Sequence, residues 1–447
     1  MKFLVIGGDA AGMSAASRAK RNKPDMDVTV LEKTMDVSYS ACGMPYNIAD
    51  PGRDMDTLVV RKADVFRQKQ GIDLRTGHTA LILDPVKRIV EGTGPGGQGF
   101  SVFYDKLLIA TGASPIIPKI EGVDLPGVFP LKSLEDGRRI KAYLAENKVK
   151  KALIAGMGFI GLEMCESLVE RGVDVSMIRR SGNFIPWLDK EVCLFARSEA
   201  EKKAVNLYFN EGLKRIEKTE NGLRVHTDSM AIEADLVLLA LGVVPNSDMA
   251  EKAGLELGKN KEIAVTRALE CSHEHIYAAG DCADAYHVVT GERTWIPLAL
   301  RANRAGWAVA DTVCGIRTEL PGIAGTAVFK LFDLQVARTG LTLDEALKAG
   351  FEAEQELVKT RSRAHGHPGS TDIWVQMVGD KRSGRLLGVF MVGKEGVAHR
   401  INAPAVALSA RMTVLDYIQS DLSYAPPFGP VWDPTLTAAI QLAKKME

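Results

Sequence analysis

The chain has 447 residues, 46% of them hydrophobic and 25% charged, the balance of a globular protein of two to four domains rather than a disordered or fibrous one. Lys+Arg and Asp+Glu both number 56, so no net field points to nucleic acid or an anionic membrane as the main partner. No run approaches the roughly 18 apolar residues a membrane-spanning helix needs, and the opening run ending at Gly7-Gly8-Asp9 is too short for a secretory signal. The expected compartment is the cytoplasm.

The first element predicted is a buried strand opening at Lys2. Gly7, Gly8, Asp9, Ala10, Ala11 and Gly12 form the turn after it, a small-residue helix follows, and Pro24 stops that region. Val28-Thr29-Val30-Leu31-Glu32 is the second strand. Strand, glycine turn, helix and strand together open a doubly wound parallel sheet. Asp9 stands where the dinucleotide fingerprint has its middle glycine, so the bare pattern is weaker here. Glu32, 20 residues after Gly12, stands where an acid accepts hydrogen bonds from an adenosine ribose.

Cys42 follows in Ser38-Tyr39-Ser40-Ala41-Cys42-Gly43-Met44-Pro45-Tyr46. That position is close to the C-terminal edge of the sheet, where ligands bind. A thiol at the start of a helix has its pKa lowered and becomes nucleophilic, which is the expectation for Cys42. The other five cysteines, at 165, 193, 271, 282 and 314, are far apart and read as small buried hydrophobes. There is no CxxC and no metal-ligand spacing, so no metal is predicted.

Gly94-Pro95-Gly96-Gly97 reads as a hairpin tip, and Asp105 to Gly112 as a strand ending in the small turn Ala110-Thr111-Gly112. The opening unit then repeats. Lys151 to Ala155 is a strand, Gly156-x-Gly158-x-x-Gly161 a full fingerprint, Gly172 the C-cap of the helix and Val173 to Ile178 the second strand. Its glycines admit a pyrophosphate to the helix N-terminus. Aligning the two second strands puts Arg179, followed by Arg180, opposite Glu32. Guanidinium groups bind a ribose 2′-phosphate that a carboxylate repels, so NADPH is expected over NADH; the alternative is two solvated surface arginines. His275 to Asp281 is a further strand ending in an acid that could bind a polyol. From about residue 322 glycine turns no longer open helices, and Ile373 to Val378 and Leu386 to Val392 read as antiparallel strands of an α+β region.

The ordered set of the Gly7–Gly12 turn, SxxxCGxPY at 38–46, Ala110-Thr111-Gly112, GxGxxG at 156–161, Tyr277-Ala278-Ala279-Gly280-Asp281, Gly325-Thr326-Ala327 with Phe332-Asp333, and Tyr424-Ala425-Pro426-Pro427-Phe428 resembles the coenzyme A-disulfide reductase branch of the pyridine nucleotide-disulfide oxidoreductases. That branch includes NADH oxidases and polysulfide reductases, and the resemblance covers essentially the whole chain. It implies an α/β fold with two Rossmann-like domains, for FAD and NAD(P), and an α+β C-terminal dimerisation domain. The expected boundaries are 1–115 and 246–321 for the two parts of the FAD domain, 116–245 for the NAD(P) domain and 322–447 for dimerisation.

Carried over, the resemblance implies that FAD is held by Gly7, Gly8, Asp9, Ala10, Ala11, Gly12, Glu32, Lys33, Ala80, Ala110, Thr111, Gly112, Gly280, Asp281, Pro297 and Phe428. For the nicotinamide cofactor it implies Gly156, Gly158, Phe159, Ile160, Gly161, Glu163, Arg179, Arg180 and Gly242. Ser14, Arg18, Arg21, Ser38 and Lys69 fall at or near coenzyme A contacts, and Arg18 with Arg21 forms an i,i+3 pair suited to clamping phosphates. Cys42 would be the redox nucleophile, with Tyr424 and His367 brought to it across a homodimer. There are departures. Phe159 replaces a gating tyrosine and Ala41 a common asparagine. In Arg363-Ala364-His365-Gly366-His367-Pro368-Gly369 an active-site tyrosine is lost, with His367 in its place. No CxxxxC pair is present, which argues against lipoamide dehydrogenase or glutathione reductase chemistry, and no rhodanese-like extension is expected. The expected reaction is NADPH-driven reduction, through FAD and Cys42, of coenzyme A disulfide or a related small-thiol disulfide or persulfide. An NAD(P)H oxidase or peroxidase working through a sulfenic acid, a polysulfide reductase, and a flavin-containing binding or signalling protein are the alternatives.

Overall fold

A computed structural model describes residues 1–447 as two large parallel sheets followed by a large antiparallel one, with four smaller sheets beside them. The first sheet runs Ile276–Ala278, Lys106–Ile109, Lys2–Ile6, Asp27–Glu32, Asp73–Thr76. Phe3, Leu4, Val5 and Ile6 are all buried, as expected of a central parallel strand covered on both faces. One cover is the helix Ala10–Asn22, whose Ala15, Ala16 and Ala19 are fully buried. It packs along the helix Ala299–Val313. The approach is close: a Cβ at Gly306 would stand 2.2 Å from the Ala11 carbonyl oxygen.

The chain leaves this sheet at Ile109 and returns to it at Ile276. In between it builds the second parallel sheet, Asn206–Phe209, Asp174–Arg179, Lys151–Ala155, Leu236–Leu239, Val128–Pro130. The two opening units share one register logic, with Ile6 opposite Leu31 and Ala155 opposite Ile178. The predicted glycine hairpin joins Ile89–Thr93 to Gly99–Phe103 and is closed by Gly94 N–H donating to the Gln98 carbonyl at 2.7 Å.

The third sheet is antiparallel, Ala327–Leu331, Leu334–Gly340, Leu386–Gly393, Asp372–Asp380, Ala353–Arg361. Leu386–Gly393 is buried along its whole length beneath the helix Asn402–Ser409, while Pro434–Met446 covers Asp372–Asp380 and Ala353–Arg361. Polar bonds lock this sheet to the second one. Buried Glu166, on the helix Phe159–Glu170, accepts from Phe332 N–H at 2.9 Å and pairs with Lys330. Asp189 N–H donates to Gln376 Oε1 at 2.7 Å. No helix is long and apolar enough to cross a membrane.

Candidate active site

The two glycine turns are near copies. Gly7 has φ +114° and Gly156 φ +112°, and a Cβ on either would stand 2.1 Å from a carbonyl oxygen of a neighbouring strand end, Ala110 or Ala240. The third glycine of each is equally forced, since a Cβ on Gly12 would lie 1.8 Å from Gly7 O and one on Gly161 2.4 Å from Gly156 O. Neither helix has a side-chain cap on its first amides, so both N-termini offer free N–H groups to an anion. Both turns therefore fit a dinucleotide diphosphate.

The turns differ in the middle. A Cβ at Gly158 would meet nothing, whereas Asp9 places a largely buried carboxyl there. Burial first, and the Glu32 charge, raise that carboxyl from 3.8 to about 6, against the Tyr39 amide and Lys132. Glu32 accepts from Gly8 N–H and Thr34 N–H at 2.7 Å each, which fixes its carboxylate at the strand end. In the second unit Arg179 Nη1 donates to the Met157 carbonyl at 3.4 Å and Nε to Ser181 Oγ at 2.5 Å. Arg179 thus lies against the fingerprint turn, with Arg180 exposed beside it.

Cys42 is brought to the first turn by backbone bonds. Ser38 N–H donates to Gly8 O at 3.1 Å and Tyr39 N–H to Asp9 Oδ1 at 3.3 Å, with Ser38 held at φ +50°. Beyond it the helix Met44–Ala49 packs against Phe159–Glu170 of the second unit, burying Met44 and Ile48 in the core that also holds Met164 and Leu168. Cys42 accordingly sits at the junction of the two units. Its side chain is exposed, yet the surrounding recess crowds it. The expected acidic thiol is not what this arrangement gives. Burial pushes the thiol up, Glu163 adds to the rise, and Lys132 opposes it. The reason is local: Cys42 lies in the tight turn Ala41–Gly43, and the six-residue helix begins only after it, so desolvation outweighs the helix end.

Two side chains outside the sequence prediction complete the recess. Lys132 pairs with Asp281 at 3.0 Å, and Tyr46 donates to Glu163 Oε1 at 3.0 Å. Tyr46 belongs to the cysteine motif and was open to recognition there. Lys132, ahead of the capping box Ser133–Asp136, carries no sequence signal.

Other predicted cofactor residues line the ends of the same strands. Thr111 and Asn246 exchange two hydrogen bonds, at 2.6 and 2.8 Å. Gly112, Gly242 and Gly280 all have positive φ, and Pro297 precedes the helix Ala299–Val313. Lys33 is exposed, Ala80 half-buried on Thr79–Asp84. Phe159 and Ile160 are exposed at the second helix start, with Phe159 tilted against Phe329 at 5.1 Å. No group of three or more metal-ligating side chains stands together.

The predicted coenzyme A residues divide. Ser14 and Arg18 share a stripe of the first helix with exposed Arg21, and Lys69 is exposed on Ala63–Gln70. Arg18 corrects the expectation of a free phosphate clamp: its Nε and Nη2 hold both oxygens of Asp311 at 2.7 Å. Of the five cysteines read as buried, Cys165, Cys282 and Cys314 are; Cys193 and Cys271 are only partly so. His367 and Tyr424 lie in adjoining loops, joined by Ala364 N–H donating to Pro426 O at 3.1 Å. Within the chain neither hydrogen-bonds to the Cys42 segment; His367 contacts Pro368 O and Tyr424 is half exposed.

Residues 1–306 match the family described as pyridine nucleotide-disulphide oxidoreductase, and residues 326–434 match its dimerisation domain. A Pyrococcus furiosus protein named NAD(P)H sulfur oxidoreductase (CoA-dependent) is 40% identical over 439 residues, 98% of each chain. A coenzyme A disulfide reductase of Staphylococcus haemolyticus is 27% identical over 431 residues, 96% of each chain. The solved structure of an NAD-dependent persulfide reductase from A. fulgidus superposes with TM-score 0.95 at 34% identity, covering 100% of this chain and 83% of that one.

Proposed function

This chain belongs to the pyridine nucleotide-disulphide oxidoreductase family, and from that premise we propose that it uses NADPH to reduce coenzyme A disulfide or a related small-thiol disulfide or persulfide at Cys42. The observation that carries the reading is the exposed Cys42 at the junction of two dinucleotide turns. When bound, FAD supplies the two-electron relay between nicotinamide and sulfur. The first turn, Glu32 and Asp281 would hold the flavin nucleotide. The second turn would hold the nicotinamide cofactor, and Arg179 and Arg180 would bind a 2′-phosphate.

Cys42 rests as a mixed disulfide with a small thiol. Its reduction by an electron pair frees that thiol and leaves the Cys42 thiolate. The thiolate attacks one sulfur of the next disulfide, the S–S bond breaks, one thiol departs and the mixed disulfide re-forms. Lys132 stabilises the thiolate electrostatically, against the desolvation and the Glu163 charge that disfavour it. Tyr424 and His367, in linked loops of the dimerisation domain, approach Cys42 of the partner subunit. There His367 protonates the departing thiolate.

A second reading makes polysulfide the acceptor. It is favoured by the higher identity to the sulfur oxidoreductase, 40% against 27% for the disulfide reductase. Anaerobic NADPH consumption with coenzyme A disulfide, with polysulfide and with neither, repeated in air, ranks the acceptors. Mass spectrometry of the unreduced protein should show a thiol adduct on Cys42. Turnover with oxygen alone would replace both readings by an oxidase.

A further inference from the structure

The helix Leu134–Glu146 of the second unit reaches the segment that carries Cys42 and grips it with two cations set one turn apart. Arg138 takes the carboxylates. Its Nη1 and Nη2 hold both oxygens of Asp36 at 2.7 and 2.8 Å, ahead of the cysteine, and Nη2 reaches Asp56 at 2.7 Å, beyond it. The helix lies close against the segment: a Cβ at Gly137 would stand 2.9 Å from Met55 Cε.

Lys141 behaves differently. Its Nζ donates to Asn47 Oδ1 at 3.0 Å, to Asn47 O at 3.1 Å, to Asp50 O at 2.8 Å and to the Arg53 carbonyl. All four are neutral amide oxygens. An ammonium has three N–H groups, so four oxygens surround it as the shell of a cation rather than meet it bond by bond. Converging carbonyls are how proteins replace the water around a monovalent cation, whereas divalent ions call for carboxylates. The turn that supplies the oxygens folds back on itself, with Asp50 N–H donating to Asn47 O and Arg53 N–H to Asp50 O, both at 3.3 Å. Without a positive charge at the centre these carbonyls would be left pointing at one another.

The cage is tied to the thiol. Fully buried Asn47 stands in the last turn of the helix Met44–Ala49, which starts two residues after Cys42. The next carbonyl, of Ile48, accepts from Arg171 Nη1 at 3.1 Å. The C-terminal carbonyls of this short helix are thus answered by cations of the second unit, as its dipole favours. Where that end is held decides where the other end, beside Cys42, can lie. Resting on the assignment of Cys42 as the redox thiol, we propose that Lys141 is a tethered monovalent cation filling a carbonyl cage, that it positions Cys42 through the helix Met44–Ala49, and that a free ammonium or potassium ion takes its place when the side chain is cut back.

The test uses the intact flavoprotein, Lys141→Ala, which empties the cage, and Lys141→Met, which fills it with an uncharged chain. Each is assayed at equal ionic strength in choline, ammonium, potassium or magnesium chloride. Reduction of coenzyme A disulfide is read against NADPH-driven dye reduction, which bypasses the thiol. Misplacing a reacting group is costly, so in choline Lys141→Ala should lose about tenfold or more in kcat for the disulfide relative to the dye. Ammonium and potassium should return most of that loss, magnesium should not, and Lys141→Met should stay low in every salt. Thermal unfolding, followed by flavin fluorescence, should shift upward in ammonium over choline for Lys141→Ala alone. Equal behaviour of Lys141→Ala in choline and ammonium by both measures overturns the cage. A cation-selective shift in unfolding with an undiminished disulfide kcat in choline overturns the positioning of Cys42. Failure of the unmodified protein to reduce coenzyme A disulfide overturns the disulfide reading instead; the cage is then kept or lost on the unfolding measurement.

Discussion

The glycine turns at residues 7–12 and 156–161 are one backbone carrying two chemistries. Their φ angles and their carbonyl contacts agree almost atom for atom, because a tight strand-to-helix turn leaves no other solution. What differs is every position the backbone does not dictate. The first turn carries Asp9 and is followed by Glu32; the second carries Gly158 and is followed by Arg179. The first leads on to Cys42; the second lends the helix against which the short helix after the cysteine packs. The backbone of either turn fits a nucleotide diphosphate, and only the side chains beside it distinguish the two.

That division can be attacked directly. The largest effect expected is for Cys42→Ser. Disulfide turnover should disappear while NADPH-driven reduction of an artificial dye continues, since dye reduction needs both turns but not the thiol. Persistent disulfide turnover would remove the sulfur chemistry from the first unit.

Asp9→Asn comes next. The carboxyl moves from 3.8 to about 6 on folding, chiefly by burial. A raised folded value means the charged form is disfavoured in the native state. Its cost is absent below pH 3.8, grows as pH rises toward about 6 and is constant above. Asparagine removes a penalty of about 3 kcal/mol at neutral pH by linkage. The gain in urea stability over the unmodified protein should therefore open between these two values and then level off. A gain independent of pH would show that Asp9 is not held this way.

Arg179→Glu restores the acid of the first unit to the second. Losing one charge-assisted phosphate contact costs about 1.5–3 kcal/mol, so NADPH use should weaken about tenfold or more relative to NADH. Equal use of both cofactors by the unmodified protein would refute the assignment. The smallest effect on the fold is expected for Gly158→Ala. Its Cβ meets no protein atom, so stability should change by no more than about 0.5 kcal/mol. Cofactor affinity should still fall if a diphosphate lies in that open space. A stability loss without an affinity loss would reverse the reading.

Much of this was legible in the sequence because it is local. Glycine spacing and buried apolar runs mark both turns, and laying one unit over the other exposes Glu32 against Arg179. The α/β class with an antiparallel C-terminal sheet follows from where glycine turns stop opening helices. What was not legible depends on long-range contact. Lys132 meets Asp281 across 149 positions, and nothing near either residue announces the pair. Arg18 looked like a free phosphate ligand because Asp311, 293 residues on, could not be placed beside it. The state of Cys42 escaped for the same reason. A helix start is visible in sequence, but the protein packed around the thiol, which decides its pKa, is not.

The return of the chain to its first sheet has a consequence for how the molecule is made. Ile276–Ala278 pairs with Lys106–Ile109, with the whole second parallel sheet threaded between them in sequence. Closing that gap is a slow, non-local event. During synthesis the Lys106–Ile109 edge stands open until residue 276 has left the ribosome, while the intervening sheet already has all its strands and can fold as a unit. The intervening unit then acts as a clip that shortens the loop to be closed. A variant that destabilises the second sheet should therefore slow acquisition of the flavin site, far from the substitution itself, and leave the growing chain exposed to edge-to-edge association for longer.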